Sequence, residues 1–420
     1  MWVRKRLDIG WSDLASAVVN CLTPRRRAAL VERLEKLWSP AEEAIACLSV
    51  RSGLDLWLSA VQLPPGSEVL VSAITIPDML RIIRDHGLVP VPVDVDVEHL
   101  AIVPASLQRA LTPRTRAILV AHLFGTRLPL EGVVRCCREH NLLLLEDCAQ
   151  AFAGVGFTGH PEADVSLFSF GPIKTATALG GGLLRVRDLR ILAEMRRLSA
   201  EQPRQSRAAY LRRLLKYSAM KLLSQRHLYG AVIRCWEGLG GDADHLVNGS
   251  VRGFAGPDFF RRIRRQPSAP LVALMHRQIA RFHRQRLVTR AGKGQRLWEQ
   301  LKGIVISPGS QCDEHSYWVF PVVVDDADRL IAALRAAGFD GSSAHSMCVV
   351  PPPADRPAVR AETAESILPR IVYLPFYREL PDGQLDRMAA VVRSVEMTCE
   401  PRRAEAPAAS RHVLQPGGRT

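Results

Sequence analysis

The chain has 420 residues, 47% of them hydrophobic, with a formal net charge of +14. That length supports two domains and a sizeable core, and no uninterrupted apolar run is long enough to span a bilayer. The positive excess calls for an anionic partner, but no zinc-finger spacing, RNA-binding aromatic signature or basic zipper accompanies it, which argues against nucleic acid.

The start, Met1-Trp-Val-Arg-Lys-Arg-Leu-Asp-Ile-Gly10, has no apolar core and cleavage site after its basic residues, so no signal peptide is read there. Nine cysteines without metal-ligand spacing read as reduced thiols of a cytoplasmic protein, and no metal is expected. Residues 1–45 form an N-terminal helical segment, in which Thr23-Pro-Arg-Arg-Arg opens a helix with Pro at its first position. Ala44 to Ser49 is a short apolar run, and Arg51 to Ala60 has the spacing of an amphipathic helix. Ser52 and Gly53 at its start either offer backbone N–H groups to a phosphate or belong to an ordinary capped helix.

From Pro64 strands and helices alternate. Strands are expected at 69–73, 89–94, 117–121 and 142–145, and helices at 76–86, up to 111, and 130–140. Short connections and unbroken apolar strands argue for an α/β fold, a parallel sheet covered by helices on both faces.

Functional residues of such sheets gather at the carboxyl ends of the strands. His122 and Gly125 follow the strand ending at Ala121. Glu146-Asp147-Cys-Ala-Gln150 follows the four-leucine run Leu142–Leu145. A carboxylate at that depth is costly unless it meets a cation or a protonated heterocycle, although Asp147 alone would also serve as a helix cap. The apolar run Val165–Phe170 then leads through Ser169 to Lys174 and to Gly180-Gly-Gly182. Lys174 is the only lysine between Lys36 and Lys216 in a chain rich in arginine. A primary amine forms a Schiff base with an aldehyde and a guanidinium does not. A carboxylate, an amine and phosphate-binding hydroxyls at neighbouring strand ends match the needs of pyridoxal 5'-phosphate.

The run from about Ala46 to Asp188 resembles the DegT/DnrJ/StrS-type family of pyridoxal-phosphate-dependent aminotransferases. The matching pieces are Pro65–Val69, Val91–Asp94, Ala121–Gly125, Glu146–Ala151 and Ser166 through Lys174 to Gly182. The resemblance implies a fold-type I transferase in which Lys174 bonds the cofactor and moves the proton, and Asp147 pairs with the pyridine nitrogen. It assigns Gln150 to the ring's oxygen side and the phosphate to Ser169 and the helix start at Arg51, Ser52 and Gly53. Ile76 stands where the family carries an aromatic that stacks on the ring. Val50-Arg51 replaces the family's Gly-Thr, and Arg264-Arg-Gln-Pro-Ser268 replaces its Gly-Tyr-Asn-Tyr-Arg-like stretch. Lysine at 174 separates the chain from the family's sugar dehydratases, which carry histidine there.

The resemblance divides the chain into a large domain over 46–265 and an interface helix with a small α+β domain over 266–400. The large domain carries a basic helical insertion at about 196–265, and residues 401–420 are expected to be a disordered tail. The helix Tyr210–Leu223 has an apolar stripe beside a cationic face. Packing on the protein is the preferred reading, ahead of contact with an anionic membrane or with substrate phosphates. Gly238 to Pro257 reads as a loop over the site. A strand is expected at 317–324, helices at 327–337 and 384–395, and His315 and His345 are read as structural. The implied activity is transfer of an amino group from an amino acid, glutamate or glutamine, to a keto group of a sugar, nucleotide-linked, by a homodimer. The alternatives are a family enzyme with a non-sugar substrate and a non-catalytic cofactor-binding relative.

Overall fold

The computed structural model describes residues 1–238, 254 and 256–398. The expected tail over 401–420 and most of the expected loop over 238–257 lie outside the described residues.

A seven-stranded sheet is built from β1 (Ala44–Cys47), β2 (Glu68–Ser72), β4 (Val89–Val93), β5 (Thr115–Ala121), β7 (Leu143–Asp147), β8 (Val165–Ser169) and β9 (Gly182–Val186). Its spatial order is β1-β9-β8-β7-β5-β2-β4. Only β9 runs antiparallel to its neighbours, β8 and β1. Successive residues of the central strands bury themselves on opposite faces. Leu70, Ile118 and Leu144 join one core cluster, and Val69, Val71, Leu119 and Leu145 join another. Two-sided burial explains why these strands are unbroken apolar runs; each buried leucine or valine side chain contributes about 2 kcal/mol. The expected α/β architecture, a mostly parallel sheet, is present.

Nine helices precede residue 239: α1 (Trp11–Leu22), α2 (Arg27–Trp38), α3 (Val50–Val61), α4 (Pro77–Asp85), α5 (Pro104–Ala110), α6 (Glu131–His140), α7 (Leu189–Glu201), α8 (Arg207–Leu223) and α9 (Arg226–Gly238). The later part contributes an antiparallel sheet of β11 (Phe320–Val323), β14 (Ile371–Leu374) and β12 (Ser342–Ser343), in that order. Two short ladders tie it to the first part: β13 (Cys348–Val349) pairs with β3 (Ile74–Thr75), and β10 (Glu314–His315) with β6 (Thr126–Arg127).

Three differences from the sequence reading have local causes. Thr23 closes α1, its N–H bonding Val19 O at 3.0 Å, so the next helix starts at Arg27 instead of at Pro24. The expected strand 317–324 begins only at Phe320, because Tyr317 adopts φ 44° and residues 316–318 dock on Gly125. The glycine run opens strand β9. A Cβ on Gly182 would stand 2.8 Å from both Ser49 C and Val50 N, and one on Gly181 would stand 2.2 Å from Met275 Sδ. Glycine therefore lets β9 pass against the start of α3.

Gly182→Ala is expected to force that helix start outward, at a cost of about 1–3 kcal/mol of stability. A lower urea midpoint at unchanged slope is the expected reading; an unchanged midpoint contradicts the packing account.

Candidate active site

The strand registers bring the candidate residues to one edge. Ala121 at the end of β5 lies opposite Asp147 at the end of β7, and Ser169 at the end of β8 lies opposite Gly182. After Ser169 the loop 171–181 folds back on Phe170, whose carbonyl accepts the N–H groups of Ala178 and Gly180 at 3.0 Å and the Thr177 hydroxyl at 3.2 Å. Ala176 and Leu179 take positive φ values of 52° and 59°, which a side chain adopts only where its surroundings enforce it. The loop thereby holds Lys174 half-buried at the sheet edge.

The Lys174 amine sits 4.2 Å from the centre of the Trp318 ring. Burial lowers its pKa from 10.5 to about 8, the Asp147 carboxylate opposes that shift, and Arg51 adds to it. Burial raises the pKa of Asp147, opposed by the Ala149 N–H that donates to Oδ1 at 2.9 Å and by the Lys174 charge. The two groups thus feel each other's charge in a partly desolvated place. Gln150 Oε1 accepts the Phe124 N–H at 2.7 Å, which leaves its amide NH2 as the outward donor. Ser169 Oγ accepts the Gly171 N–H at 3.4 Å.

At the head of α3 the arrangement departs from the expectation. Ser49 is the N-cap; its Oγ accepts the Ser52 N–H at 3.1 Å and contacts Ser52 Oγ at 2.9 Å, while its carbonyl accepts the Gly53 N–H at 3.0 Å. Those two N–H groups are therefore not free for a phosphate. Gly53 serves packing instead, since a Cβ there would stand 2.4 Å from Leu184 Cδ1. Arg51 remains at the helix start, with Nε bonded to Asp78 Oδ2 at 2.5 Å. Ile76 is the N-cap residue of α4 and packs half-buried against the core cluster that includes α3 and α4.

His122 lies beneath this edge. Its Nδ1 accepts the Leu128 N–H at 2.9 Å, so the neutral ring carries its proton on Nε2 and donates to Glu146 Oε1 at 2.8 Å. Glu146 Oε2 accepts from Ser166 Oγ at 2.6 Å and from the His160 N–H at 2.8 Å. All three side chains are buried. Burial would raise the Glu146 pKa, but the hydrogen bonds from His122, Ser166 and His160 outweigh it and hold the value at about 2. The cluster braces β5, β7 and β8 under the site.

Three residues the sequence reading missed surround Lys174. Gly125 (φ 105°) lets residues 316–318 approach, and Ser316 N–H bonds its carbonyl at 2.8 Å; this places Trp318 on Lys174. The indole N–H of Trp318 donates to Ile173 O at 3.0 Å. Lys5, from the N-terminal segment, stands 3.8 Å from the same ring centre. Arg290 Nε bonds Ser316 O at 2.7 Å and Nη1 reaches Thr175 Oγ1 at 3.3 Å, joining this segment to the lysine loop. Lys5, Lys174, Arg290, Trp318 and Tyr377 are among the lining of a cavity of about 280 Å³. Neither an arginine more than a hundred residues downstream nor a lysine near the start carries a local signal of this convergence. His315, read as structural, stacks on Tyr317 at 3.9 Å, and burial followed by the Arg290 charge lowers its pKa to about 3.

The model of the DegT/DnrJ/EryC1/StrS aminotransferase family matches residues 25–219. Residues 25–219 are therefore similar to that family. A UDP-N-acetyl-3-dehydro-alpha-D-glucosamine 3-aminotransferase of Acidithiobacillus ferrooxidans is 35% identical over 167 residues, covering 38% of this chain and 44% of the relative. A GDP-perosamine synthase of Caulobacter vibrioides is 34% identical over 163 residues, with the same shares, 38% and 44%. The chain thus aligns with under half the length of these relatives. The sugar aminotransferase CalS13 of Micromonospora echinospora superposes with a TM-score of 0.67 at 19% identity, over 94% of this chain and 100% of that one. A putative sugar aminotransferase of Streptococcus pneumoniae, solved in its PLP form, superposes at 0.66 with 17% identity, over 94% and 98%. At that identity the likeness concerns the fold.

The family's aminotransferases depend on pyridoxal 5'-phosphate. The residues here fit that group: a half-buried amine of lowered pKa, a carboxylate whose burial favours a cationic partner, and an outward amide donor occupy adjacent strand ends.

Two expectations follow. Glu146 holds a folded pKa of about 2 against an ordinary 4.5, so the stability it contributes is complete above pH 4.5 and lost as pH falls toward 2. Glu146→Gln should be less stable at pH 7 by about 1–3 kcal/mol in urea titrations and should show a flatter decline below pH 4.5; equal stability of both proteins at pH 7 contradicts the brace. In the cofactor-free protein, acetylation of Lys174 by acetic anhydride should reach half its maximal rate near pH 8. A midpoint at the ordinary lysine value of 10.5 contradicts the environment described here.

Proposed function

We propose that the protein is a pyridoxal-phosphate-dependent aminotransferase that carries an amino group from an amino acid to a keto group of a sugar. The observation that carries this reading is the half-buried Lys174 amine, held over Trp318 by the loop after β8, with half-buried Asp147 at the end of adjoining β7. The printed activities of the two relatives support a nucleotide-linked keto sugar as acceptor, and the donor in this proposal is glutamate or glutamine. The likeness to the family also underlies the homodimer included in the proposal. No helix among the described residues is long and apolar enough to cross a membrane, and the proposed setting is cytoplasmic.

Pyridoxal phosphate, when bound, supplies an electron sink for the carbon that bears the amino group. Lys174 Nζ would be the attachment point for the cofactor and would carry the proton. A pKa of about 8 leaves part of the amine unprotonated near neutral pH, so it can accept a proton at one carbon and return it at another. Asp147 would keep a positive charge on a heterocyclic nitrogen, because a half-buried carboxylate is stabilised by a neighbouring cation. Gln150, with its oxygen held by Phe124 N–H, donates through its amide. Ser169 and the Arg51 N–H at the α3 start would hold the phosphate. Trp318 covers one side of the Lys174 amine and limits its access to water. Arg6 and Arg290 make the cavity wall cationic, which suits an acidic donor or a phosphorylated acceptor.

The purified protein with pyridoxal phosphate should show a visible absorption band that glutamate or glutamine bleaches, and Lys174→Ala should lack it. Asp147→Asn should keep the band but slow the bleaching by about 10²-fold or more, as loss of a charge stabilising the reacting group does. A wild-type protein with no band contradicts the proposal.

A further inference from the structure

Helices α1 and α8 pack side by side and both lie on the helix Ala269–Ala280. Their inward faces bury Leu14, Ala17 and Cys21 from α1 and Tyr210, Leu214 and Tyr217 from α8. This agrees with the packing read for α8 from the sequence, but the outward faces are not what that reading expects. On α1, Trp11, Val19 and Leu22 form one stripe, with Val19 56% and Leu22 70% exposed. On α8, Leu215, Leu222 and Leu223 face outward, with Leu215 57% exposed. Lys221 Nζ stands 5.8 Å from the centre of the Trp11 ring and joins the two helices.

Charge separates the candidate occupants. From Gln202 to Trp236 the chain has eight lysines and arginines and no aspartate or glutamate. The single acid of α1, Asp13, turns inward to Arg277 Nε at 2.7 Å. A second copy meeting this surface through a two-fold axis would set cation against cation. A nucleic acid would answer the charge but leave the leucines in water. Leucine, valine and tryptophan side chains beside exposed Arg212 and Lys216 of α8 suit the boundary between lipid headgroups and acyl chains.

We propose that the joint outward face of α1 and α8 seats the protein on an anionic lipid bilayer as a peripheral, non-spanning contact. The apolar side chains enter the headgroup boundary and the cations pair with lipid phosphates. Lys221 and Gly10 also line the cavity at Lys174, so a bilayer on this face borders the cavity mouth. The proposal does not depend on the catalytic reading.

The test is sedimentation of the full chain with sucrose-loaded vesicles of phosphatidylcholine and phosphatidylglycerol, beside vesicles of phosphatidylcholine alone, at low and high salt. Leu215→Asp with Leu222→Asp is the paired variant; its circular dichroism spectrum reports that it folds. The expected result is pelleting with the anionic vesicles at low salt, at least tenfold weaker with the neutral ones or at high salt, and at least tenfold weaker for the variant. Absence of pelleting at low salt, or equal pelleting of a folded variant, overturns the proposal. So does a wild-type dimer that the variant converts to monomer while neither protein pellets, because the face is then an interface between copies.

Discussion

The partly desolvated encounter of Lys174 with Asp147 is the constraint to which the surrounding structure answers. An amine taken out of water tends to lose its proton and a carboxylate tends to gain one, and each restrains that tendency in the other. Their pKa values, about 8 for Lys174 and above the ordinary value for Asp147, express that balance. It requires both groups to be held at fixed places on neighbouring strands, and the fold supplies the means. β7 carries Asp147 at its last position, β8 delivers the lysine loop, and the His122–Glu146–Ser166 brace locks β5, β7 and β8 together from below. The brace is itself a buried carboxylate, stable because every bond it accepts comes from a neighbouring strand or loop.

The remaining walls come from far along the chain. The N-terminal segment brings Lys5 over Trp318 and Asp8 to the Ala176 N–H at 3.0 Å, so residues before α1 clamp the lysine loop. Residues 316–318 arrive through the close approach that Gly125 allows, and Arg290 ties them to Thr175. Lys174 is thus enclosed by three distant parts of the chain, and a change at Gly125 or Asp8 acts on the site without touching it.

The sheet was legible because its strands bury both faces and so appear as unbroken runs such as Leu142–Leu145. The residues at their ends were legible for the same reason, since Asp147 and Lys174 interrupt apolar sequence where polarity is expensive. β9 was not legible. Its entry is a glycine run whose meaning, a backbone passing 2.8 Å from the α3 start, exists only in three dimensions. At the helix start the N–H groups of Ser52 and Gly53 bond Ser49 one turn earlier, a cap that the sequence leaves as one of two readings. Trp318 looked like part of a strand, and only the positive φ of Tyr317 turns it toward the lysine. Pattern records burial along a segment; it carries little about which distant segment supplies the lid.

Two amines, Lys174 and Lys5, share the face region of Trp318, and only one is held by the loop that the fold builds for it. The most direct measurement is to add pyridoxal phosphate at one equivalent, reduce with borohydride and map the label by peptide mass spectrometry. The account predicts stoichiometric label on Lys174 and none on Lys5. Label on Lys5, or spread among surface lysines, would contradict the assignment of Lys174 as the amine around which the structure is arranged.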